Sequence, residues 1–123
     1  MVQNSSPALT VAMAFHQAWT SRDVDRAMSY VSEDIVCEAP AGRIEGLERY
    51  RAFWAPFVQI FTGSDVIASC GDDETAVLMY DAHTTLVASA LTAEWYLVRD
   101  GKIARSRIVF DRAAFQAARK AAD

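Results

Sequence analysis

The sequence predicts an α+β fold, with helices packed on one face of a curved, mainly antiparallel sheet. Apolar residues recur at helical spacing through the first half, interrupted by one short strand pattern. Long β-branched and aromatic runs separated by tight turns fill the second half, and a short helical pattern closes the chain. Segregated helices and strands of this kind stack in layers, and a long sheet closed by helices makes a cone with an interior. The 123 residues, 52% apolar and 23% charged, suit one domain over 1–123 with a real core. The three Trp, four Tyr and six Phe exceed what a minimal core needs and suggest a lined pocket.

Pro7 to Trp19 reads as an amphipathic helix, with Leu9, Met13, His16 and Trp19 on one face and Phe15 alongside. Ser6 supplies its N-cap and Pro7 its first helical position. Asp23 caps a short second helix running to Tyr30, and Asp34 to Ala39 is a strand closed by Pro40-Ala41-Gly42. A third helix runs from Leu47 to Phe61, with Leu47, Tyr50, Phe53 or Trp54, Phe57 and Phe61 in register, and Pro56 is expected to kink it or end its first half. Four strands follow at 64–69, 75–86, 89–98 and 103–110, joined at Gly71-Asp72-Asp73 and at Asp100-Gly101. Asp111 caps a closing helix from Arg112 to Lys120.

Charge and cysteine content count against several functions. The net charge is −4 and the basic residues are scattered; the densest group, Arg99, Lys102, Arg105, Arg107 and Arg112, could form a local patch, but no nucleic-acid partner is expected. Cys37 and Cys70 lack metal-ligand spacing and are too few for a disulfide framework, so the thiols are read as reduced; no metal and no cofactor are expected. Met1 to Ser6 carries no basic leader pattern, and no apolar run approaches the roughly 18 residues that span a bilayer. The expectation is a cytoplasmic protein with no membrane partner.

Alternation sorts the sheet residues. On 75–86, Val77, Met79, Asp81 and His83 share one face while Leu78, Tyr80 and Ala82 share the other. On 89–98, Thr92, Glu94 and Tyr96 oppose Ala93, Trp95 and Leu97. On the last strand Arg105 and Arg107 must face solvent or a partner, which turns Ser106 and Ile108 inward. The first two strands carry apolar residues on both faces, so alternation alone leaves their orientation open.

The order of these motifs, from Ala14-Phe15 and Trp19 through Glu38-Ala-Pro-Ala-Gly42, Tyr50 and Phe53 to Ala93-Glu94-Trp95-Tyr96, Asp100-Gly-Lys-Ile103 and Val109-Phe110-Asp111, resembles the nuclear transport factor 2-like superfamily in its SnoaL-like branch. The resemblance covers nearly the whole chain. It implies a cone-shaped dimer with a hydrophobic pocket between sheet and helices. At the positions where ketosteroid isomerases carry a tyrosine, a base and a protonated carboxyl, this chain has Phe15, Ala39 and Glu94. Where limonene-epoxide hydrolases carry Arg, Asp and Asp it has Met79, Asp81 and Ile108. Both constellations are incomplete. His83 and Glu94 are similar in place to the acid/base pair of SnoaL-type polyketide cyclases.

The resemblance turns Asp81 and Glu94 inward. The candidate catalytic set is then Asp81, His83 and Glu94, within a substrate-binding wall of Phe15, Trp19, Phe53, Trp54, Phe57, Met79, Tyr96 and Ile108. Burial in such a wall raises a carboxyl pKa and suits proton transfer on a small hydrophobic molecule. The opposite orientation would pair Glu94 with Arg105 or Arg107. Leu78, Tyr80, Trp95 and Leu97 are assigned to the convex face, where a second subunit would cover them as a homodimer. Isomerase-, cyclase- or hydrolase-like acid/base chemistry is one reading, and a non-catalytic dimeric module binding a ligand or a protein is the other. Cys37, His16, Tyr30, Tyr50 and Arg43 are read as structural or solvated.

Overall fold

The computed structural model describes residues 6–122, so the reading of Met1 to Ser5 lies outside the described residues. Helix α1 (Pro7–Thr20) begins where Ser6 caps it, the Ser6 hydroxyl accepting from the Leu9 amide at 3.0 Å. Helix α2 (Val24–Met28) is capped by Asp23, which accepts from the Arg26 amide at 3.0 Å. Strand β1 (Val31–Ala39) turns back at Ala39↔Gly42 into β2 (Gly42–Glu45), a four-residue strand with no signal of its own in the sequence pattern. Helix α3 (Leu47–Ile60) continues through Pro56 instead of ending there, with Tyr50, Trp54 and Val58 buried on one face.

Strands β3 (Phe61–Gly71), β4 (Thr75–Thr84), β5 (Ala90–Arg99) and β6 (Lys102–Val109) form an antiparallel meander, followed by α4 (Arg112–Ala122). The sheet order is β2-β1-β6-β5-β4-β3, and its one parallel pairing, β1 with β6, joins the two halves of the chain. Two turns need their residues. Asp100 and Gly101 take φ of 52° and 75°, which Asp-Gly accommodates most readily. Gly71 has no space for a side chain, because a Cβ there would lie 2.6 Å from the Ser6 hydroxyl and 3.0 Å from Leu9 Cβ.

The core lies between the sheet and the helices. Ala8, Ala12, Phe15 and Trp19 of α1 and Trp54 of α3 meet Leu78, Tyr80 and Ala82 of β4 and Tyr96 of β5. Each large apolar side chain buried there contributes roughly 1.5–3 kcal/mol. This placement corrects one expectation: Leu78 and Tyr80 are 0% and 1% exposed against the helices, so they are absent from the outer face. Trp95 and Leu97 do face outward, beside the exposed Val77, Met79, Leu91 and Val109. Among the described residues no helix is long and apolar enough to cross a membrane.

Candidate active site

Antiparallel register decides which side chains converge. Residues directly opposite one another in a ladder share a face. Glu94 of β5 stands opposite Leu78 of β4 and Ile108 of β6, Thr92 opposite Tyr80, and Tyr96 opposite Ser106. With Glu94 turned toward the helices, Leu78 and Tyr80 must turn the same way. Asp81, opposite Leu91, then faces out, and His83 goes with it. The trio predicted from sequence is therefore split: Glu94 is 1% exposed inside the cone, while Asp81 and His83 lie on the other side of the sheet. His83 is held there by Asp65, with Nε2 and the Asp65 carboxylate 2.9 Å apart, and its Nδ1 lies 3.0 Å from the Ala88 carbonyl. Those two contacts raise its pKa. The Ser89 hydroxyl donates to Asp81 at 3.4 Å.

Around Glu94 the inward parity gathers a different set. The Tyr80 hydroxyl donates to Glu94 Oε2 at 2.6 Å. Burial pushes the Glu94 carboxyl up to about 7, opposed by the hydroxyls of Tyr80 and Tyr96, which favour the ionised form. The geometry at Tyr96 falls short of a hydrogen bond, and Glu94 Oε1, Tyr50 Oη and Ser106 Oγ likewise have no partner. Burial, with Glu94 nearby, drives the Tyr50, Tyr80 and Tyr96 phenols well above their ordinary range, so all three stay protonated. Cys37, beneath the same cluster, is raised to about 12 by burial and is no nucleophile at neutral pH. His16, packed edge-on to Trp19 and Tyr80 with ring centroids 4.9 and 4.6 Å away, is depressed to about 4 by burial and is neutral.

A cavity of about 320 Å³ opens beside this cluster, and Tyr80 belongs to both. That is the size of a small-molecule site. Phe53, Trp54, Pro56 and Phe57 of α3 form one wall, Thr92 and Ile108 the sheet side, and the Ala39-Pro40-Ala41 turn one edge. Arg112, Phe115, Gln116 and Arg119, spaced one helical face apart on α4, complete it together with Phe110. Of the expected wall, Phe53, Trp54, Phe57 and Ile108 are in place. Phe15, Trp19 and Tyr96 are corrected to closed core at 0% exposure, and Met79, 37% exposed, to the outer face. Tyr80, expected on the outer face, turns inward, as its register opposite Thr92 requires. The α4 face joins the wall as a further element, and the spacing of Arg112, Phe115, Gln116 and Arg119 at i, i+3, i+4 and i+7 is its signal in the sequence. Among the described residues no three His, Cys, Asp or Glu side chains are placed to hold a metal ion.

Residues 12–106 match the SnoaL-like domain. The chain belongs to that family. A crystal structure from Kribbella flavida is similar to this SnoaL-like chain at 51% identity and a TM-score of 0.94, covering 97% of this chain and 98% of that one. A steroid delta-isomerase from Pseudomonas aeruginosa shares the fold at 14% identity and a TM-score of 0.77, over 98% and 91% of the two chains. An epoxide hydrolase of Mycobacterium tuberculosis does so at 18% identity and a TM-score of 0.73, over 91% and 88%. No curated protein sequence matches the SnoaL-like chain. Relatives of such different chemistry share the architecture, so the activity has to be argued from the side chains.

Proposed function

We propose that this SnoaL-like chain is an acid/base enzyme that activates an oxygen-bearing, largely apolar small molecule in the cavity. The observation that carries this reading is the 2.6 Å hydrogen bond from Tyr80, a cavity-wall residue, to the buried Glu94. The pair has two states. With Glu94 ionised, Tyr80 donates to it and can only accept from the cavity. With Glu94 protonated, the carboxylic acid donates to Tyr80 Oη, and the Tyr80 O–H is free to donate to a substrate oxygen. A carboxyl near 7 populates both states around neutrality, which is where a proton-handling group works best. Tyr80 is the catalytic residue in this scheme, and Glu94 is its positioning residue. An isomerase-, cyclase- or hydrolase-type reaction begins with such polarisation of a carbonyl or ether oxygen.

The test is the exchange of the α-hydrogens of 2-tetralone in D₂O, followed by proton NMR. The protein should accelerate exchange most below pH 7, and Tyr80→Phe should slow it by about 100-fold, the usual cost of losing one oxyanion donor. Acceleration that survives Tyr80→Phe and Glu94→Gln would refute the reading.

The outer sheet face supports a second copy as partner. Val77, Met79, Leu91 and Val109 are exposed there, with Asp65 and Asp81 toward one border and Arg105 and Arg107 toward the other. Two copies related by a two-fold axis would bring acidic border to basic border. The free thiols, Cys37 and Cys70, fit a reducing, cytoplasmic setting.

A further inference from the structure

The cavity wall is mostly apolar, with Tyr80 and Thr92 on the sheet side, and it is cationic along α4. Arg112 and Arg119, two turns apart on α4, are the only charged wall residues among those described. Between Arg112 and Ala122 the helix also carries Lys120 and no acidic residue. Among the described residues, Arg43 meets Glu38 and Glu45 and Arg51 meets Asp25, while the other arginines form no ion pair. Among the described residues neither Arg112 nor Arg119 forms an ion pair. Asp111, next in sequence, turns Oδ1 to the Ala113 amide at 3.0 Å as the helix cap. Gln116 adds an amide between the two guanidiniums on the same face. The helix is seated over the cavity by Phe115, whose ring centroid is 6.3 Å from that of Phe57 and 5.7 Å from that of Phe110.

In a chain of net charge −4, two arginines on the wall of a cavity whose other described wall residues are uncharged concentrate positive potential there. We propose that the substrate is an amphipathic organic anion: a ring-sized apolar body held by Phe53, Trp54 and Phe57, with a carboxylate, or an acidic group of like geometry, held at the rim by Arg112 and Arg119. Planar guanidinium forks suit that geometry better than a point charge does. This inference rests on the cavity being the substrate site, and it adds the substrate's charge. The α4 end fixes the acidic group, and the Tyr80 side is left for the reacting oxygen.

The experiment is calorimetric titration of the full chain with 1-naphthaleneacetate and with its neutral amide, 1-naphthaleneacetamide. At low salt the acid should bind about five- to tenfold more tightly, the range expected of two solvent-exposed ion pairs. The preference should shrink at 500 mM salt (a chosen high-salt condition at which the Debye length falls to roughly 4 Å). It should vanish in the double variant Arg112→Gln/Arg119→Gln, which should bind the amide as the parent does. Lys120→Gln, the loss of one positive charge on the same helix off the cavity wall, should leave the preference intact. Equal affinity for acid and amide, or a preference that survives the double variant, overturns the proposal while amide binding keeps the cavity as a ligand site. Binding of neither probe also overturns it, and the tetralone exchange then judges the Tyr80–Glu94 reading separately. The two arginines are exposed, so the double variant should keep its fold, and its circular dichroism and melting midpoint check this.

Discussion

Glu94 and His16 are buried groups whose protonation equilibria pull stability in opposite directions. Glu94 sits at about 7 against an ordinary 4.5, so the folded state binds its proton more tightly than the unfolded chain does. Its contribution therefore falls as pH rises from 4.5 to 7. His16 sits at about 4 against an ordinary 6.5, so the unfolded chain binds that proton more tightly, and stability is lost as pH falls from 6.5 to 4. Each amounts to about 3 kcal/mol across its window, to order of magnitude. Between pH 4.5 and 6.5 the two slopes offset each other. Removing one group should expose the other. Glu94→Gln should grow more stable as pH rises from 4 to 6.5, and His16→Asn should grow less stable from 4.5 to 7. Urea midpoints across pH 4–8 measure both, and variants that parallel the parent curve would show that neither shift is real.

At the scale of elements, each join depends on a few contacts. Gly71 lies where β3 passes the start of α1, with Ser6 and Leu9 against it. Gly71→Ala should destabilise by about 1–3 kcal/mol through overpacking, read as a lowered denaturation midpoint. Ser6→Ala should cost about 1 kcal/mol through the lost cap. Helices α1, α2 and α4, the cap residues and the hairpin turns are legible in the sequence because each is set by local periodicity and turn chemistry. β2 is not, because a four-residue strand exists only through its pairing with β1. The orientation of β4 is also not local. Ala76, Leu78, Tyr80 and Ala82 are as apolar as Val77 and Met79, so alternation fits either face, and only the register against Glu94 decides. That non-local fact is why Glu94 can be read correctly while Asp81, His83 and Tyr80 exchange faces.

For the whole molecule, the same parity defines two surfaces: an enclosed polar cluster beside a cavity, and an apolar outer face. Leu91, 54% exposed on the outer face near the start of β5, is the sensitive position for self-association. Light scattering should report a dimer for the parent chain and a monomer for Leu91→Lys, and a parent that stays monomeric at high concentration would contradict a two-fold pairing. On the inner surface, Tyr80 and Glu94 are proposed to act as one proton-handling unit. A carbon-13 NMR titration of the Glu94 carboxyl tests it most directly, in the parent chain and in Tyr80→Phe. The parent should titrate near 7, and the variant should titrate higher, because the hydroxyl that favours the ionised carboxylate is gone. A midpoint near 4.5 that ignores the loss of Tyr80 would contradict the account.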